Sequence, residues 1–310
     1  MRVLVLGGTG HLGAAVVHEA IGRGHAVSVA TRRELPRSLA GLDVEAVRLD
    51  IEERGALRRA LHGHALIVDA AAPYPLYAEA GVESRAVARM RLLIRAVADA
   101  GARLAYVSSF VTMPECARAR AVRTLHPYFA VKQAMEDEVL RACAAGLRAV
   151  VVNPTACLGP WDGKPRELSV IPLLLEQRLP ATVSAPINVI DVRDVARGLL
   201  EAVARERYGV PILLSGHNLG ADALADRICQ LAGVAAPIAR MPLAPAVLGA
   251  MWMDRVYATF GRDNPHPAIG LLLTAASGST EVGEVQRQLG AAPRDLDQTL
   301  RDAIAWYRSA

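Results

Sequence analysis

Short apolar runs alternate with longer segments of helical periodicity through the first half of the chain. The apolar runs have the length of β-strands and lie at 2–6, 26–30, 44–49, 65–68, 104–108 and 149–153. The segments between them carry apolar residues every three to four positions, as amphipathic helices do, and lie at 11–23, 53–61, 79–100 and 128–145. Because strands that alternate with helices build βαβ units, the pattern predicts an α/β fold. Its doubly wound parallel sheet would be covered by helices on both faces.

The pattern changes in the second half, where prolines interrupt the chain at 154, 160, 165, 172, 180 and 186. Short strands are predicted at 188–190 and 212–214, and helices at 193–204, 221–231, 244–260 and 294–308. We therefore expect a main domain over 1–155 and a smaller C-terminal lobe over 156–310. Segments within about 187–215 are expected to return to the main domain.

Composition excludes several classes of protein. Of the 310 residues, 52% are hydrophobic and 21% are charged, which is enough apolar material for a packed core and excludes a disordered chain. No apolar run reaches the roughly 18 residues that span a bilayer. Residues 1–6 form a strand pattern rather than a charged signal segment. We therefore expect neither a membrane span nor a secretory signal.

Charge and cysteine usage narrow the function classes further. The net charge is +4, the cations are scattered singly, and aromatic residues make up only 4%, so nucleic acid is not an expected partner. The four cysteines lie far apart, with no CxxC spacing and no histidine pair nearby. This pattern argues against a disulfide framework or a metal site. A reducing, cytoplasmic location fits it best.

A glycine-rich turn joins the first predicted strand to the first predicted helix. Its sequence is GGTGHLG, and its glycines have the GxxGxxG spacing of a dinucleotide-binding turn. The first glycine permits the tight turn, the second lets the backbone approach a pyrophosphate, and the third lets the helix pack close to the sheet. The helix N-terminus adds unpaired N–H groups for the anion, as in a Rossmann fold. The candidate cofactor-binding residues of the turn are Gly7, Thr9, Gly10, His11, Leu12 and Gly13.

The end of the second strand favours NADP(H) as the cofactor. An NAD site places a carboxylate there for the ribose 2′-hydroxyl, whereas this chain has Arg32 and Arg33. A guanidinium can pair with a 2′-phosphate, although both arginines could instead be solvated, which leaves NAD(H) possible. Asp50 could reach the adenine amino group, and small alanines after the fourth strand would let the dinucleotide lie against the sheet. The candidate contacts after the third and fourth strands are Asp50, Ile51, Ala70, Ala71 and Ala72.

A tyrosine and a lysine at helical spacing form the candidate chemical site. Tyr128 and Lys132 are one turn apart and share a helix face. A neighbouring ammonium favours the phenolate and lowers the tyrosine pKa toward the range useful for proton transfer. Ser109 follows the fifth strand, at the sheet edge where α/β proteins bind ligands, and could hydrogen-bond a substrate carbonyl or hydroxyl. Ser108 is expected to point elsewhere, because alternate strand residues face opposite sides.

These motifs together resemble those of the extended short-chain dehydrogenase/reductases, the family that includes the NAD-dependent epimerase/dehydratases. The matching segments are GGTGHLG, the serine pair after strand five, YFAVK, and NPTACLGP after strand six, and the likeness covers essentially the whole chain. More narrowly, NPTACLGPWDGKP is similar to dihydroflavonol-4-reductase-like and 3β-hydroxysteroid dehydrogenase-like proteins. At 112–114 the chain has TMP where the family usually has VYG, so the loop on the substrate side differs.

The resemblance implies a role for each residue of the chemical site. Tyr128 would be the acid/base, Lys132 would hold the nicotinamide ribose and tune Tyr128, and Ser109 would be the carbonyl partner. The resemblance also places three residues after strand six near the nicotinamide: Asn153, Pro154 and Thr155. By analogy with the family, a homodimer through a pair of long helices is expected.

The leading prediction is an NADP(H)-dependent oxidoreductase that interconverts a ketone and a secondary alcohol on a mostly apolar small molecule. Apolar segments at 243–253 and 269–273 could cover such a substrate, or could form an ordinary core or dimer face. The first alternative is a nucleotide-sugar epimerase or dehydratase that uses the same three residues. The second alternative is a non-catalytic dinucleotide-sensing protein.

Overall fold

The computed structural model describes residues 1–50, 54–71, 81–164, 166, 169–179 and 181–309. Two of the predicted cofactor contacts, Ile51 and Ala72, lie outside the described residues. Seven strands form one parallel sheet: β1 (Arg2–Leu6), β2 (Ala26–Thr31), β3 (Val44–Arg48), β4 (Leu66–Asp69), β5 (Arg103–Val107), β6 (Ala149–Pro154) and β10 (Pro211–Leu214). Their spatial order is β10-β6-β5-β4-β1-β2-β3, so the order reverses at β1. This confirms the predicted doubly wound Rossmann-type sheet.

Helices lie on both faces of the sheet and dominate the second half of the chain. In chain order they are α1 (His11–Gly22), α2 (Arg54–Leu61), α3 (Val82–Asp99), α4 (Ala117–Val122), α5 (Pro127–Ala144), α6 (Val170–Leu175), α7 (Val192–Ala204), α8 (Ala221–Ala232), α9 (Leu243–Thr259), α10 (Ile269–Ala276), α11 (Glu284–Gln288) and α12 (Leu296–Arg308). None of these described helices is long and apolar enough to cross a membrane.

The two faces of the sheet are buried by different helices. Val3 and Val5 of β1 belong to the apolar cluster that contains α1 and α7. Leu4 and Leu6 belong to the cluster that contains α2, α3 and α5. Successive strand residues point to opposite faces, so β1 is apolar throughout because helices cover both of its faces.

The remaining strands form two small sheets in the second half of the chain. Their ranges are β7 (Ala156–Leu158), β8 (Ala181–Ser184), β9 (Pro186–Asp191), β11 (His217–Gly220) and β12 (Ala239–Pro242). β11, β9 and β7 make a three-stranded sheet that packs on α6, α8 and α12, whereas β12 pairs with β8. The predicted strand at 188–190 therefore belongs to a small sheet through β9. The predicted strand at 212–214 lies in β10, which joins the main sheet beside β6.

Candidate functional site

The glycine-rich turn after β1 has the geometry of an anion-binding loop. Gly7 has a φ of 77°, and its carbonyl oxygen accepts a hydrogen bond of 3.0 Å from the amide of Gly10. Gly10 is the residue before α1, and no side chain caps the helix there. The N–H groups of the first turn of α1 therefore have no intrahelical acceptor and no capping side chain, and the positive end of the helix dipole lies beside them.

Close backbone contacts explain why this turn consists of glycines. A Cβ atom on Gly13 would lie 2.0 Å from the carbonyl oxygen of Gly7. A Cβ atom on Gly7 would lie 2.7 Å from the backbone of Ala70 and Ala71, which follow β4. The turn therefore sits directly against the end of the neighbouring strand, and the narrow gap admits only backbone. This cradle fits the pyrophosphate of a dinucleotide.

A loop from the second half of the chain covers the turn. A Cβ atom on Gly163 would lie 3.3 Å from the carbonyl oxygen of Thr9, and the ring of Trp161 stacks on His18 of α1 at 3.8 Å. His11, the first residue of α1, is buried, and its Nδ1 lies 3.9 Å from a carboxylate oxygen of Asp162. Burial lowers the pKa of His11 to about 4, so its imidazole is neutral at neutral pH.

The predicted contacts for the adenosine end lie on strand ends at the same edge of the sheet. Arg32 and Arg33 directly follow β2, and both are exposed. Neither forms an ion pair within the described part of the chain. Asp50 is exposed two residues after β3. Both guanidinium groups therefore remain available to an anionic ligand.

The start of α5 fixes the position of the candidate chemical site. His126 caps the helix, because its Nδ1 accepts a hydrogen bond of 3.2 Å from the amide of Tyr128. Pro127 occupies the first helical position, where a missing N–H is harmless. Tyr128 and Lys132 then lie one turn apart on the buried face of α5.

Ser109 and Tyr128 are in direct contact. The Ser109 hydroxyl hydrogen-bonds the phenol of Tyr128, and both side chains are buried. Burial raises the pKa of Tyr128 to about 12, and the hydrogen bond to Ser109 only partly opposes this rise. The sequence-based expectation of a lowered pKa is therefore wrong. Ser108 is buried, and its hydroxyl has no hydrogen-bond partner among the described residues.

Lys132 is held against the end of β5. Its Nζ donates to the carbonyl oxygen of Val107 at 3.3 Å and lies 5.8 Å from the centre of the Tyr106 ring. Burial lowers the pKa of Lys132 to about 8, with Arg89 acting in the same direction and Asp69 and Glu136 opposing it. The ammonium is therefore close to its titration range at neutral pH.

Two buried acidic side chains, which were not identified from the sequence, lie beside Lys132. Asp69, at the end of β4, accepts two hydrogen bonds from the Arg89 guanidinium, at 2.7 and 2.9 Å. Glu136 follows Lys132 by one turn of α5 and accepts hydrogen bonds from Thr112 at 2.8 Å and from the Asn153 amide at 2.7 Å. The spacing that relates Tyr128 to Lys132 could have revealed Glu136. Asp69 and Arg89 are 20 residues apart, and no motif relates them.

The residues expected near the nicotinamide are buried, and two of them form hydrogen bonds to other protein residues. Asn153 is fully buried, and its amide also donates to the carbonyl oxygen of Ser109 at 3.1 Å. Thr155 donates to the side chain of Asn188 at 2.7 Å, and Pro154 is the buried last residue of β6. Asn153 therefore links the ends of β5 and β6 to Glu136 of α5.

A family model for the NAD dependent epimerase/dehydratase family matches residues 3–212, which include the glycine turn and the whole chemical site. The chain belongs to this family. The family resemblance stated from the sequence is thereby confirmed. As a member of the NAD dependent epimerase/dehydratase family, the chain is an oxidoreductase-type enzyme.

Proteins similar to this chain are named as a reductase, a sterol demethylase protein and an epimerase. The chain is 28% identical to a Synechocystis sp. protein named as a dihydroflavonol 4-reductase, over 98% of the chain and 94% of that protein. It is 29% identical to sterol demethylase protein B of Methylococcus capsulatus, over 99% and 98%. The crystal structure of a nucleoside-diphosphate-sugar epimerase from Pseudomonas aeruginosa superposes with a TM-score of 0.76 at 26% identity, over 100% of the chain and 98% of that structure.

Proposed function

We propose that this family member is an NADP(H)-dependent oxidoreductase that interconverts a ketone and a secondary alcohol on a mostly apolar small molecule. The observation that carries the proposal is the meeting of three side chains at the carboxyl edge of the main sheet. The phenol of Tyr128 hydrogen-bonds Ser109, and the Lys132 ammonium lies one helical turn away. These groups supply a proton donor, a carbonyl partner and a positive charge.

The dinucleotide would be held along the edge formed by the ends of β1, β2 and β4. The first turn of α1 would bind the pyrophosphate, and Gly7 and Gly13 leave room for its backbone approach. Arg32 and Arg33 would meet the 2′-phosphate of NADP(H), and Lys132 would meet the nicotinamide ribose. When bound, the cofactor supplies or accepts the hydride that the protein's own side chains cannot provide.

In the proposed reaction, side chains of the protein donate the proton and stabilise the charge that remains. In ketone reduction, the Ser109 hydroxyl orients the substrate oxygen, and Tyr128 donates its phenolic proton to that oxygen. A pKa of about 12 keeps Tyr128 protonated at neutral pH, as a proton donor requires. The Lys132 ammonium stabilises the phenolate that is left behind. Addition of a proton at oxygen and a hydride at carbon gives the secondary alcohol.

The surroundings of Tyr128 favour an apolar substrate. Tyr128 belongs to an apolar cluster formed by the start of α5 and by α4, α9 and α10. The sequence suggested residues 243–253 as a cover for the substrate. Within this segment, Val247 is buried in the cluster and Met251 packs against it, whereas Leu248 and Trp252 are exposed. Other members of this cluster are Phe110, Met113, Phe129, Val247, Ile269 and Leu272. An uncharged ring system fits this cluster better than a charged sugar nucleotide does.

The nucleotide-sugar epimerase named among the similar structures marks the alternative reaction. The decisive assay supplies NADPH together with ketones from the steroid, flavonoid and polyketide classes. The contrast set supplies NAD⁺ or NADP⁺ together with nucleotide sugars, because an epimerase first oxidises its sugar. A reductase consumes NADPH in proportion to the alcohol formed. Conversion of a nucleotide sugar in the presence of NAD⁺ or NADP⁺, without net formation of the reduced dinucleotide, would instead establish the epimerase. Tight dinucleotide binding with no turnover in either set would support a dinucleotide sensor.

We expect Arg32→Ala to weaken the preference for NADPH over NADH by about tenfold, because one charge-assisted hydrogen bond to a phosphate is lost. The measurement is the ratio of kcat/KM values for the two cofactors. Arg148→Ala is the matched control: Arg148 is also exposed, but it precedes β6 and so lies at the opposite edge of the sheet. An unchanged ratio in Arg32→Ala would remove the basis for NADP(H) selectivity.

We expect Glu136→Gln to lower kcat by about tenfold or more through misplacement of Ser109 and Asn153. The charge of Glu136 raises the pKa of Lys132, while Asp69 and Arg89 remain unchanged beside it. Loss of that charge lowers this pKa, so the ammonium is lost sooner and the alkaline limb of ketone reduction should move to lower pH. A purely structural role would leave the position of that limb unchanged.

Glu138→Gln is the control for this prediction. Glu138 lies on the same helix, but it pairs with Arg91 and Arg141 away from Lys132. Its replacement should leave the pH profile of reduction where it is. Equal pH profiles in both variants would show that Glu136 does not act through Lys132.

A further inference from the structure

A buried ion pair lies between the glycine turn and Lys132. Asp69 is fully buried at the end of β4, and the Arg89 guanidinium of α3 donates to both of its carboxylate oxygens, at 2.7 and 2.9 Å. Only 10% of the Arg89 side chain is exposed. Removal of two charges from water is costly, and apolar residues of similar volume often stabilise such an interface better. Stability alone is therefore a weak reason for an ion pair at this place.

The strand register places Asp69 between the two halves of the candidate site. Asp69 is aligned with Leu6, the residue before the glycine turn, on one side and with Tyr106 of β5 on the other. One of its carboxylate oxygens also accepts a hydrogen bond of 3.1 Å from the amide of Ala71, in the wall against which Gly7 packs. The carboxylate is thus part of the cradle wall, and the next strand, β5, leads to the chemical site.

Lys132 approaches the same region from α5. Successive strand residues alternate between faces, so Asp69 and Tyr106 point to the side of the sheet that α3 and α5 cover. On this side the Lys132 ammonium lies 5.8 Å from the centre of the Tyr106 ring. Its charged neighbours among the described residues are Asp69 of β4, Arg89 of α3 and Glu136 of its own helix. The two carboxylates favour the ammonium, and the guanidinium opposes it.

We propose that the Asp69–Arg89 pair is a positioning pair for Lys132, in which Asp69 keeps the lysine charged and Arg89 limits that effect. Because Arg89 occupies both carboxylate oxygens, Asp69 acts on Lys132 through its charge. The ammonium is then left hydrogen-bonded to the carbonyl oxygen of Val107, at 3.3 Å. The charged form is the one that can stabilise the phenolate of Tyr128. What Lys132 does in turnover rests on the proposed function, whereas its titration does not.

NMR of the lysine side chains measures the proposed effect without any substrate. The chain contains only two lysines, Lys132 and Lys164, so protein isotope-labelled at lysine gives two sets of signals, which a Lys164→Arg variant assigns. Asp69→Asn should lower the midpoint pH of the Lys132 titration by about one unit or more, because the opposite charge is lost. Arg89→Gln should raise that midpoint, because the opposing cation is lost. The Lys164 signal is the internal reference and should not change.

Arg193→Gln is the matched control for the loss of a buried ion pair. Arg193 donates to both oxygens of the buried Asp191 carboxylate at the start of α7, in the same bidentate manner. Its replacement should lower the melting temperature and leave the Lys132 midpoint unchanged. Opposite shifts in Asp69→Asn and Arg89→Gln support the proposal, because a general loss of packing cannot move one midpoint both ways.

Shifts in the same direction, or unchanged midpoints in folded variants, would overturn the proposal and leave the pair as a structural tie between α3 and the sheet. If one variant fails to fold, the direction of the shift in the other decides the outcome.

The pH profile of ketone reduction separates this proposal from the proposed function. Its alkaline limb should follow the NMR midpoints, to lower pH in Asp69→Asn and to higher pH in Arg89→Gln. Displaced midpoints in a protein that reduces no ketone would support the role of the pair and refute the reductase. Unchanged midpoints in an active reductase would do the reverse. The two proposals therefore fail separately.

Discussion

Replacement of Tyr128 by phenylalanine is expected to lower turnover by about 10³-fold while leaving NADPH affinity nearly unchanged. The variant loses only the phenolic hydroxyl that hydrogen-bonds Ser109. The ring stays within the same apolar cluster, so packing is preserved. Steady-state turnover with the best ketone of the panel, and NADPH affinity from nucleotide fluorescence, measure the two effects separately.

Tyr208→Phe controls for the loss of a buried hydroxyl in general. The Tyr208 hydroxyl has no hydrogen-bond partner among the described residues, and Tyr208 lies beyond the end of α7. Its removal should change neither turnover nor affinity. If Tyr128→Phe retained wild-type turnover, proton transfer would have to come from another group.

The Gly13→Ala variant is expected to lose dinucleotide binding and about 3 kcal/mol of folding stability. The new Cβ would lie 2.0 Å from the carbonyl oxygen of Gly7 and 2.8 Å from Cα of Gly8, and backbone atoms cannot rotate away as side chains do. The start of α1 must therefore move off the turn, which misaligns its N–H groups for the pyrophosphate. Calorimetric titration with NADPH gives the affinity, and the melting temperature should fall by about 5 °C or more.

Gly22→Ala makes the same chemical change at the other end of α1. A Cβ atom there would meet nothing within 4 Å, and alanine favours the helix by about 0.5–1 kcal/mol over glycine. This control should bind NADPH normally and melt slightly higher. Normal NADPH affinity in Gly13→Ala would mean that the dinucleotide does not rest on this turn.

The main sheet could be predicted from the sequence because its determinants are local. The elements β1, α1 and α5 each have a recognisable pattern of apolar residues and a glycine or proline at one end. Their predicted ranges agree with the structure within about two residues. α4, α6 and α11 are five or six residues long, too short for a periodic pattern to reveal. Their positions depend on tertiary packing, which one sequence does not display.

The chemical site was predictable in part for the same reason. Tyr128 and Lys132 lie on one helix, so their spacing alone relates them. The direction of the Tyr128 pKa was not predictable, because it depends on how deeply the phenol is buried by elements distant in sequence. The pairing of Asp69 with Arg89, which joins a strand end to a separate helix, is likewise visible only in three dimensions.

The position of β10 determines how the chain can be divided. β10 follows β9 in the sequence, yet it pairs with the outer edge of β6 in the main sheet. All six residues of β6 are buried. A fragment that stops at Thr155 would leave the backbone of β6 as an open, apolar edge, and such edges pair with other chains. Exchange of segments between this protein and a relative therefore requires two crossover points, one on each side of the segment that lies between β6 and β10. The half of the protein that would bind the cofactor then keeps β10 as its own final strand.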